Sequence, residues 1–495
     1  MNNTQETLEL VKAALASPGE PLAKVWTQSG SAISGITSYD LEAPAKLLYP
    51  VHTPIRNITP RKVGGMGIQA NWRGVTGINT TNLPMGRTEG QRAGAMVTTV
   101  ADYLAIFRAL GLEDYVTWEG DMAAVGFQDL KALAVMQLLR ATMIGEEKVL
   151  LAGQGTWPLI RTPQPTVTPV AIGGTCTFAH DPYTVYCVAL TRDGNARSTL
   201  AVGIVQDVVR VNMDGTSDTV GGGSARVSAA QTASCGGAVA TGSFTCTVTA
   251  VPGAVAYAWF WGPNGTPPAL GAITTVNAYT IATDLPIGTQ TYASLDNASD
   301  HSRDSLIFDG LMALATKTAS GSYWKSLDNA ALTTNTAGGV TEIDTALQWF
   351  WENYRLSPDA IWVSSQERKN INAKVVTGSA TAAQRFVFTA DQKGMTGGIM
   401  VRGYLNPFTM SVDAEEIPIK LHPDLPPGTI LFTTSQLPYP LSNVSNVWQL
   451  KLRYDYRQLE WPMTKPRYEY GIYVDGVLQH YFTPSLGIIC NINNG

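Results

Sequence analysis

One stretch of the sequence predicts a long helix, Asp121-Met-Ala-Ala-Val-Gly-Phe-Gln-Asp-Leu-Lys-Ala-Leu-Ala-Val-Met-Gln-Leu-Leu-Arg-Ala-Thr-Met-Ile-Gly-Glu-Glu-Lys-Val-Leu-Leu-Ala152. Asp121 can cap its start, and Gly153 follows it where a left-handed C-terminal turn belongs. An unbroken helix over this range would be a rod of roughly 48 Å, at about 1.5 Å per residue. We expect it to be the spine of the fold because its apolar residues recur at helical spacing: Leu130, Leu133, Ala134, Leu138, Ala141 and Ile144.

The length and composition of the chain describe a folded protein that is poor in charge. Its 495 residues are 44% hydrophobic and 15% charged, enough for two or three domains. A net charge of −5 without clustered Lys and Arg argues against broad electrostatic capture of nucleic acid. Neither a signal-peptide pattern nor an apolar run of about 20 residues occurs in the sequence. We therefore expect a protein made in the cytoplasm that has no membrane partner.

The segment before the helix divides into an arm and a hairpin. Leu47, Leu48 and Ile55 need burial, but nearby prolines forbid a continuous helix, so the arm must lie along something else. From Val63 to Thr99, apolar residues alternate with Gly, Thr and Asn, which predicts a long β-hairpin. Its tip is expected near 76–92.

A change in composition after the helix marks an inserted module. The sequence has no lysine between Lys148 and Lys317 and no glutamate between Glu147 and Glu342. Alternating apolar stretches and Asp-Gly and Asn-Gly turns predict an all-β sandwich over about 163–288.

Four of the five cysteines fall in this module, namely Cys176, Cys187, Cys235 and Cys246. Two disulfides are possible with three connectivities open, although a cytoplasmic product would start reduced. Alternatively, Cys187 and Cys246 are buried as small apolar residues, because each alternates with apolar neighbours. A metal site is not expected, because the spacing of zinc ligands is missing.

The chain from about 300 onward predicts mixed helices and strands. Helices are expected over Ile307–Thr316 and Glu342–Tyr354, with another through Ile371, and a short one near Val477–Tyr481. Predicted strands include Ile361–Ser364 and a final one, Gly487–Ile492. Leu421–Thr429 is expected to be a turn rather than a site.

The sequence contains no candidate residues for catalysis. The five histidines have no metal or triad spacing, and neither a Gly-x-Ser-x-Gly elbow nor a phosphate-binding loop is present. His480 is expected to be a packed or capping residue. We expect a protein that is not an enzyme and has no cofactor.

Five segments outside the insert carry a likeness to a known family: Ala45-Lys-Leu-Leu-Tyr-Pro-Val-His-Thr-Pro-Ile-Arg-Asn57, Gly67-Ile-Gln-Ala-Asn-Trp-Arg73, Gly111-Leu-Glu-Asp-Tyr-Val-Thr-Trp-Glu119, Asn353-Tyr-Arg-Leu-Ser-Pro358 and Tyr468-Glu-Tyr-Gly-Ile-Tyr473. With these segments, the order of parts resembles the major capsid proteins of tailed double-stranded-DNA bacteriophages, a fold that encapsulins share. Two stretches of the insert, Tyr183–Ala189 and Pro252–Trp259, look like an immunoglobulin or fibronectin type III module. The resemblance implies an α+β capsid fold with an inserted immunoglobulin-like sandwich.

The same resemblance implies a division of the chain into seven parts. These are an N-terminal arm (1–62), an extended β-hairpin loop (63–107), the spine helix with the first part of a peripheral domain (108–160), the inserted sandwich (163–288), an axial domain (300–440), the peripheral strands (441–482) and a C-terminal axial strand (483–495).

The implied function is self-assembly, as hexamers and pentamers, into an icosahedral shell around phage DNA that is bound without sequence-specific contact. Assembly would take place in the host cytoplasm, and the product would be the virion capsid. A separate scaffolding protein and a portal would be partners, and the outward-facing insert is a candidate for binding cell-surface glycans. The residues expected to make assembly contacts are Leu47, Ile55, Trp72 and Leu138. The alternatives are an encapsulin-like compartment shell and a carbohydrate-binding or adhesion protein.

Overall fold

The computed structural model describes residues 48–126, 128–170, 176–177, 181–234, 241–335, 338–377, 400–409, 415–439 and 442–494. The chain divides into two compact units, and the larger comprises Pro50–Ala123 and Leu130–Gly495. Leu47 and Cys235 lie outside the described residues, as does the side chain of Cys176.

The helices in chain order are α1 Pro54–Ile58, α2 Trp118–Ala124, α3 Leu130–Ala152, α4 Arg192–Arg197, α5 Leu311–Thr316, α6 Thr341–Tyr354 and α7 Ser365–Thr377, with short 3₁₀ helices at Tyr292–Ser294 and Thr483–Ser485. The strands are β1 Arg61–Val63, β2 Gln69–Ile78, β3 Thr98–Ile106, β4 Arg108–Thr117, β5 Thr166–Val170, β6 Cys176–Thr177, β7 Tyr183–Leu190, β8 Asp207–Val211, β9 Ser217–Gly221, β10 Gln231–Ala233, β11 Thr241–Thr247, β12 Ala256–Pro263, β13 Ala269–Thr274, β14 Ala278–Ile281, β15 Tyr323–Ser326, β16 Ala360–Val363, β17 Gly403–Asn406, β18 Glu415–Leu421, β19 Ile430–Thr433, β20 Trp448–Glu460, β21 Arg467–His480 and β22 Gly487–Cys490.

The fold class is α+β, as the sequence predicts. The described strands form four larger sheets, in the orders β1-β20-β21-β4, β10-β7-β12-β13, β14-β11-β5 and β15-β22-β19-β16-β18-β17, and two separate ribbons, β2-β3 and β8-β9. None of the described helices combines the length and apolar character that crossing a bilayer requires.

The long helix is shorter than the sequence predicts. It begins at Leu130, and Asp121 lies inside the separate helix α2. Gly126 stands between the two helices with a φ of +83°, a left-handed conformation that ends a helix. The 23 residues of α3 therefore make a rod of about 35 Å rather than 48 Å. Lys131 Nζ lies 3.0 Å from Asp121 Oδ2 and joins α3 to α2.

Gly153 follows α3 for a reason other than the predicted left-handed turn. Its φ is not positive, but a Cβ there would lie 2.4 Å from the carbonyl oxygen of Phe308. Gly310 is equally constrained, with a Cβ position 2.4 Å from the carbonyl oxygen of Val149. The amide of Gly310 donates to the carbonyl of Gly153 at 2.9 Å. Both glycines are required because two backbones meet here without room for a side chain.

Two antiparallel sheets form the module that the sequence predicts as all-β. β10-β7-β12-β13 and β14-β11-β5 share one core, in which Cys187 and Trp259 from the first sheet pack with Phe244 and Cys246 from the second. Contacts of this module continue past the predicted end at 288. Tyr292 stacks on Tyr186 with ring centroids 4.1 Å apart.

The thiols of Cys187 and Cys246 are free and buried in this core. Burial raises the pKa of the Cys246 thiol to about 12 and raises the pKa of Cys187 as well. In the structure, Cys187 and Cys246 are buried as small apolar groups, which is one of the two interpretations that the sequence leaves open.

The six-stranded sheet takes in the end of the chain as an interior strand. β22 pairs in parallel with β15 and antiparallel with β19. Helix α6 covers the sheet with Ile343, Leu347 and Phe350, all fully buried. The final strand thus joins strands from 323–433 in one sheet. The helix expected near Val477–Tyr481 is instead the end of strand β21.

We predict that Gly271→Ala destabilises the two-sheet module by about 1–3 kcal/mol, because overpacking strains a filled core. A Cβ at Gly271 would lie 1.9 Å from the buried ring of Trp261. Denaturant unfolding measures the change. Gly86→Ala is the control, since nothing lies within 4 Å of a Cβ there. Equal stability of the two variants would contradict the packing described.

Candidate assembly site

A buried carboxylate on α3 holds the end of the arm. Glu147 accepts hydrogen bonds from the backbone amides of Ile55, at 2.9 Å, and Arg56, at 2.6 Å. His422 Nε2 lies 2.6 Å from the same carboxylate, and both side chains are fully buried. The amide of Asp424 donates to His422 Nδ1 at 3.1 Å, so Nε2 carries the proton that is donated to Glu147. One carboxylate thereby joins three distant segments of the chain.

The neighbouring carboxylate, Glu146, is the centre of an ion-pair network. Arg61 Nη1 lies 2.6 Å from Glu146 and Arg56 Nε lies 3.0 Å from it. Arg61 also forms a two-pronged pair with Asp455, and the Tyr456 hydroxyl donates to Glu146. Burial alone would lower the pKa of Arg61, but its hydrogen bonds and the charges of Asp455 and Glu146 outweigh this and raise that pKa. These bonds fix α1 and β1 along the helix.

Two of the expected assembly contacts lie inside the chain's own core. Ile55 is 0% exposed and packs against Leu150 and Leu452, and Leu138 is 6% exposed beside Ile472. Both side chains are covered by their own chain, and their part in assembly stays a prediction. The arm does lie along another element, but for its described part that element is α3 and strand β20 of the same chain.

The turn at 421–429 joins three parts of the structure. His422 bonds to Glu147 of α3, and Asp424 pairs with Arg192 of the two-sheet module at 2.7 Å. The amide of Gly428 donates to Glu367 of α7 at 3.1 Å. The sequence predicts a turn and not a site. The element is a turn, and its residues connect α3, the two-sheet module and α7.

Burial leaves two titratable groups with displaced pKa values. Burial raises the pKa of the Glu367 carboxyl to about 7, against hydrogen bonds from Gly428, Asn370 and Gln366 that lower it. Burial lowers the pKa of His480 to about 3, and neither of its ring nitrogens has a hydrogen-bond partner. His480 is therefore a packed residue, as the sequence indicates, but it lies on a strand.

The root of the predicted β-hairpin is held by aromatic contacts. Trp72 stacks on Tyr103 at 5.8 Å between ring centroids and meets Tyr481 edge-on at 6.3 Å. Trp72 is half-buried, and it packs against the core of its own chain. The structure thus gives Trp72 a role inside the chain, where an assembly contact was expected.

The tip of the hairpin is the most exposed apolar part of the described chain. Every residue from Pro84 to Val100 is exposed. Met85 is 91% exposed and Met96 is 61% exposed, and Ile78 at the end of β2 is 71% exposed. The hydrogen bonds of the tip are internal, such as that from the amide of Thr80 to the carbonyl of Val97 at 3.1 Å. Exposed apolar side chains gathered on one projecting element are candidates for an interaction site.

No cluster of metal-ligating side chains is found in the part of the chain that the structure describes. No family model matches the sequence. No curated protein matches it either.

Solved structures similar to this chain are capsids. The capsid of a native GTA particle has a TM-score of 0.42 and 9% identity, covering 94% of this chain and 99% of that one. The capsid of cyanophage P-SCSP1u has a TM-score of 0.40 and 9% identity, with coverage of 96% and 100%. The cyanophage A-1(L) capsid has a TM-score of 0.40 and 9% identity, with coverage of 93% and 97%.

We expect Glu147→Gln to destabilise the protein by about 2–4 kcal/mol, because an amide can accept on only one side and leaves buried donors unpaired. Trypsin should then cleave at Arg56, Arg61 and Lys62 faster than in the parent chain. Exposed Glu352→Gln is the matched control. Parent-like stability and cleavage in Glu147→Gln would show that this carboxylate does not hold the arm.

Glu367→Gln should stabilise the protein above pH 7 and have little effect near pH 4.5. The folded pKa of Glu367, about 7, lies above the usual 4.5. Stability is therefore lost as pH rises between these values, because the unfolded chain releases its proton first. Glutamine avoids this loss, which we place on the order of 2 kcal/mol. Unfolding curves at pH 4.5 and pH 8 measure the effect, and an equal gain at both would refute the assignment.

Proposed function

We propose that the chain is the major capsid protein of a tailed double-stranded-DNA phage. Many copies assemble as hexamers and pentamers into an icosahedral shell that encloses the packaged DNA. The virion capsid is then its location, and binding other copies of itself is its activity. No catalytic role belongs to this proposal.

The observation that carries the proposal is the exposed apolar hairpin. Its ten-residue and nine-residue strands reach about 30 Å from the root, at about 3.3 Å per residue. The apolar side chains near its tip, including Ile78, Met85 and Met96, are left in solvent by the chain that carries them. Burial of such surface against a second copy is favourable, by about 25 cal/mol per Å². A contact between the hairpin and a different patch is head-to-tail, the kind of contact from which closed rings such as hexamers and pentamers are built when the rotation between copies closes.

The anchored arm supports the proposal because a projecting hairpin transmits force to its root. Glu146 and Glu147 fix α1 and β1 to α3 with buried, charge-assisted bonds. Strand β1 pairs with β20, and β20 pairs with β21, which carries β4 on its other side. A rigid body therefore lies behind the hairpin, as a shell subunit needs.

The parts of the chain receive roles within this proposal. The sheet β1-β20-β21-β4 with α3 belongs to the peripheral domain, and the six-stranded sheet with α6 and α7 belongs to the axial domain. The two-sheet module is an immunoglobulin-like insert that faces outward and is a candidate for glycan binding. A net charge of −5 fits a shell that encloses DNA without sequence-specific binding. A separate scaffolding protein and a portal complete the set of partners.

The proposal predicts that the double variant Met85→Asp, Met96→Asp stays in small oligomers under conditions where the parent chain forms shells. Burying a carboxylate in an apolar interface costs several kcal/mol per copy, so at least a tenfold higher protein concentration is expected for assembly. Electron microscopy and sedimentation measure whether shells form and at which protein concentration. Met85→Leu, Met96→Leu keeps the apolar surface and should assemble.

Circular dichroism should be unchanged in both variants, since both methionines are exposed in the single chain. Normal shells from the aspartate variant would overturn the role of the hairpin. A parent chain that packages an enzyme in place of DNA would favour the encapsulin-like alternative.

A further inference from the structure

A cavity of about 360 Å³ lies at the root of the hairpin. It is bounded by β3, by α5 with the segments before and after it, and by the end of β21. Its walls are mainly apolar, and they include Leu104, Ile106, Phe308, Leu314 and Leu478. A volume of this size is typical of ligand sites and far exceeds the roughly 30 Å³ of one water molecule.

Two polar groups in the cavity lining are unpaired. The indole Nε1 of Trp72 and both ring nitrogens of His480 are buried and have no hydrogen-bond partner. His480 is 2% exposed. An unpaired buried donor costs about 1–3 kcal/mol, and native proteins rarely leave several together. These nitrogen atoms are covered by atoms of the chain itself, so Trp72 and His480 line the cavity through their other atoms.

The charges around the cavity favour an anion. Arg108 and Lys317 line it, and neither has an ion-pair partner among the residues that the structure describes. The one acid in the lining, Asp309, is already occupied, because it accepts from the amides of Gly155 and Thr156 and from the Thr156 hydroxyl. Two cations without an ion-pair partner among the described residues thus line a mainly apolar space.

We propose that this cavity binds a small amphipathic carboxylate, with its apolar body between β3 and β21 and its carboxylate at Lys317 and Arg108. Because β3 belongs to the hairpin and β21 to the sheet behind it, an occupant braces the root of the hairpin. The site does not depend on the proposed shell.

Calorimetric titration of the unassembled full chain with decanoate tests the proposal. Saturable one-to-one binding is expected. Lys317→Glu, at an exposed position, should weaken it at least tenfold. Lys465→Glu is the control for a change of charge at another exposed lysine and should leave binding unchanged.

Four results would overturn the proposal. The first is no saturable binding of decanoate. The second is equal affinity for decyltrimethylammonium, which has the same chain and the opposite charge. The third is decanoate binding that Lys317→Glu leaves unaltered. Density for a peptide of a neighbouring copy in this cavity of assembled particles would also overturn it, since the occupant would then be a second chain.

Discussion

Glu147 is a buried carboxylate shared by three segments that are far apart in sequence. It pairs with the amides of α1 and with His422, and the turn that carries His422 is bound in turn to Arg192 and Glu367. A buried charge is tolerated only when its lone pairs are used, so the arm, the turn and α3 must adopt one arrangement together. The remaining architecture rests on this joint, because α3 and the sheet behind the hairpin take their positions from it.

Burial divides the expected contact residues and the hairpin residues into two groups: one packs inside the subunit, and the other is exposed. Ile55 and Leu138 belong to the first group, and Trp72 joins it because its ring fixes the hairpin root. The second group lies beyond the root, at the hairpin tip, where no other described element covers the apolar side chains. This separation gives the proposed function its physical basis. The subunit packs its own core, and its exposed apolar hairpin tip is left for another copy to bury.

The sequence predicts most of the elements and few of the contacts. The hairpin, α6 and the interior strands follow from periodicity, which is a local property. Local periodicity misses the break at Gly126, where one glycine interrupts an otherwise helical pattern, and it mistakes the end of β21 for a helix because a short apolar run fits both periods. The Glu146–Glu147 pair could have been noticed as two acids between Leu138 and Leu150 on the buried side of an apolar helix. Their partners, 85 to 310 residues away in the sequence, could not, because only the tertiary fold brings them together.

Methionine oxidation with peroxide, before and after assembly, tests whether the hairpin tip is buried from solvent only when copies meet. Oxidation to the sulfoxide follows solvent exposure, and Met85 and Met96 are 91% and 61% exposed in the single chain. The account predicts that both oxidise rapidly in the unassembled protein and are strongly protected in the assembled particle. Equal rates of oxidation of Met85 and Met96 in the two states would contradict it.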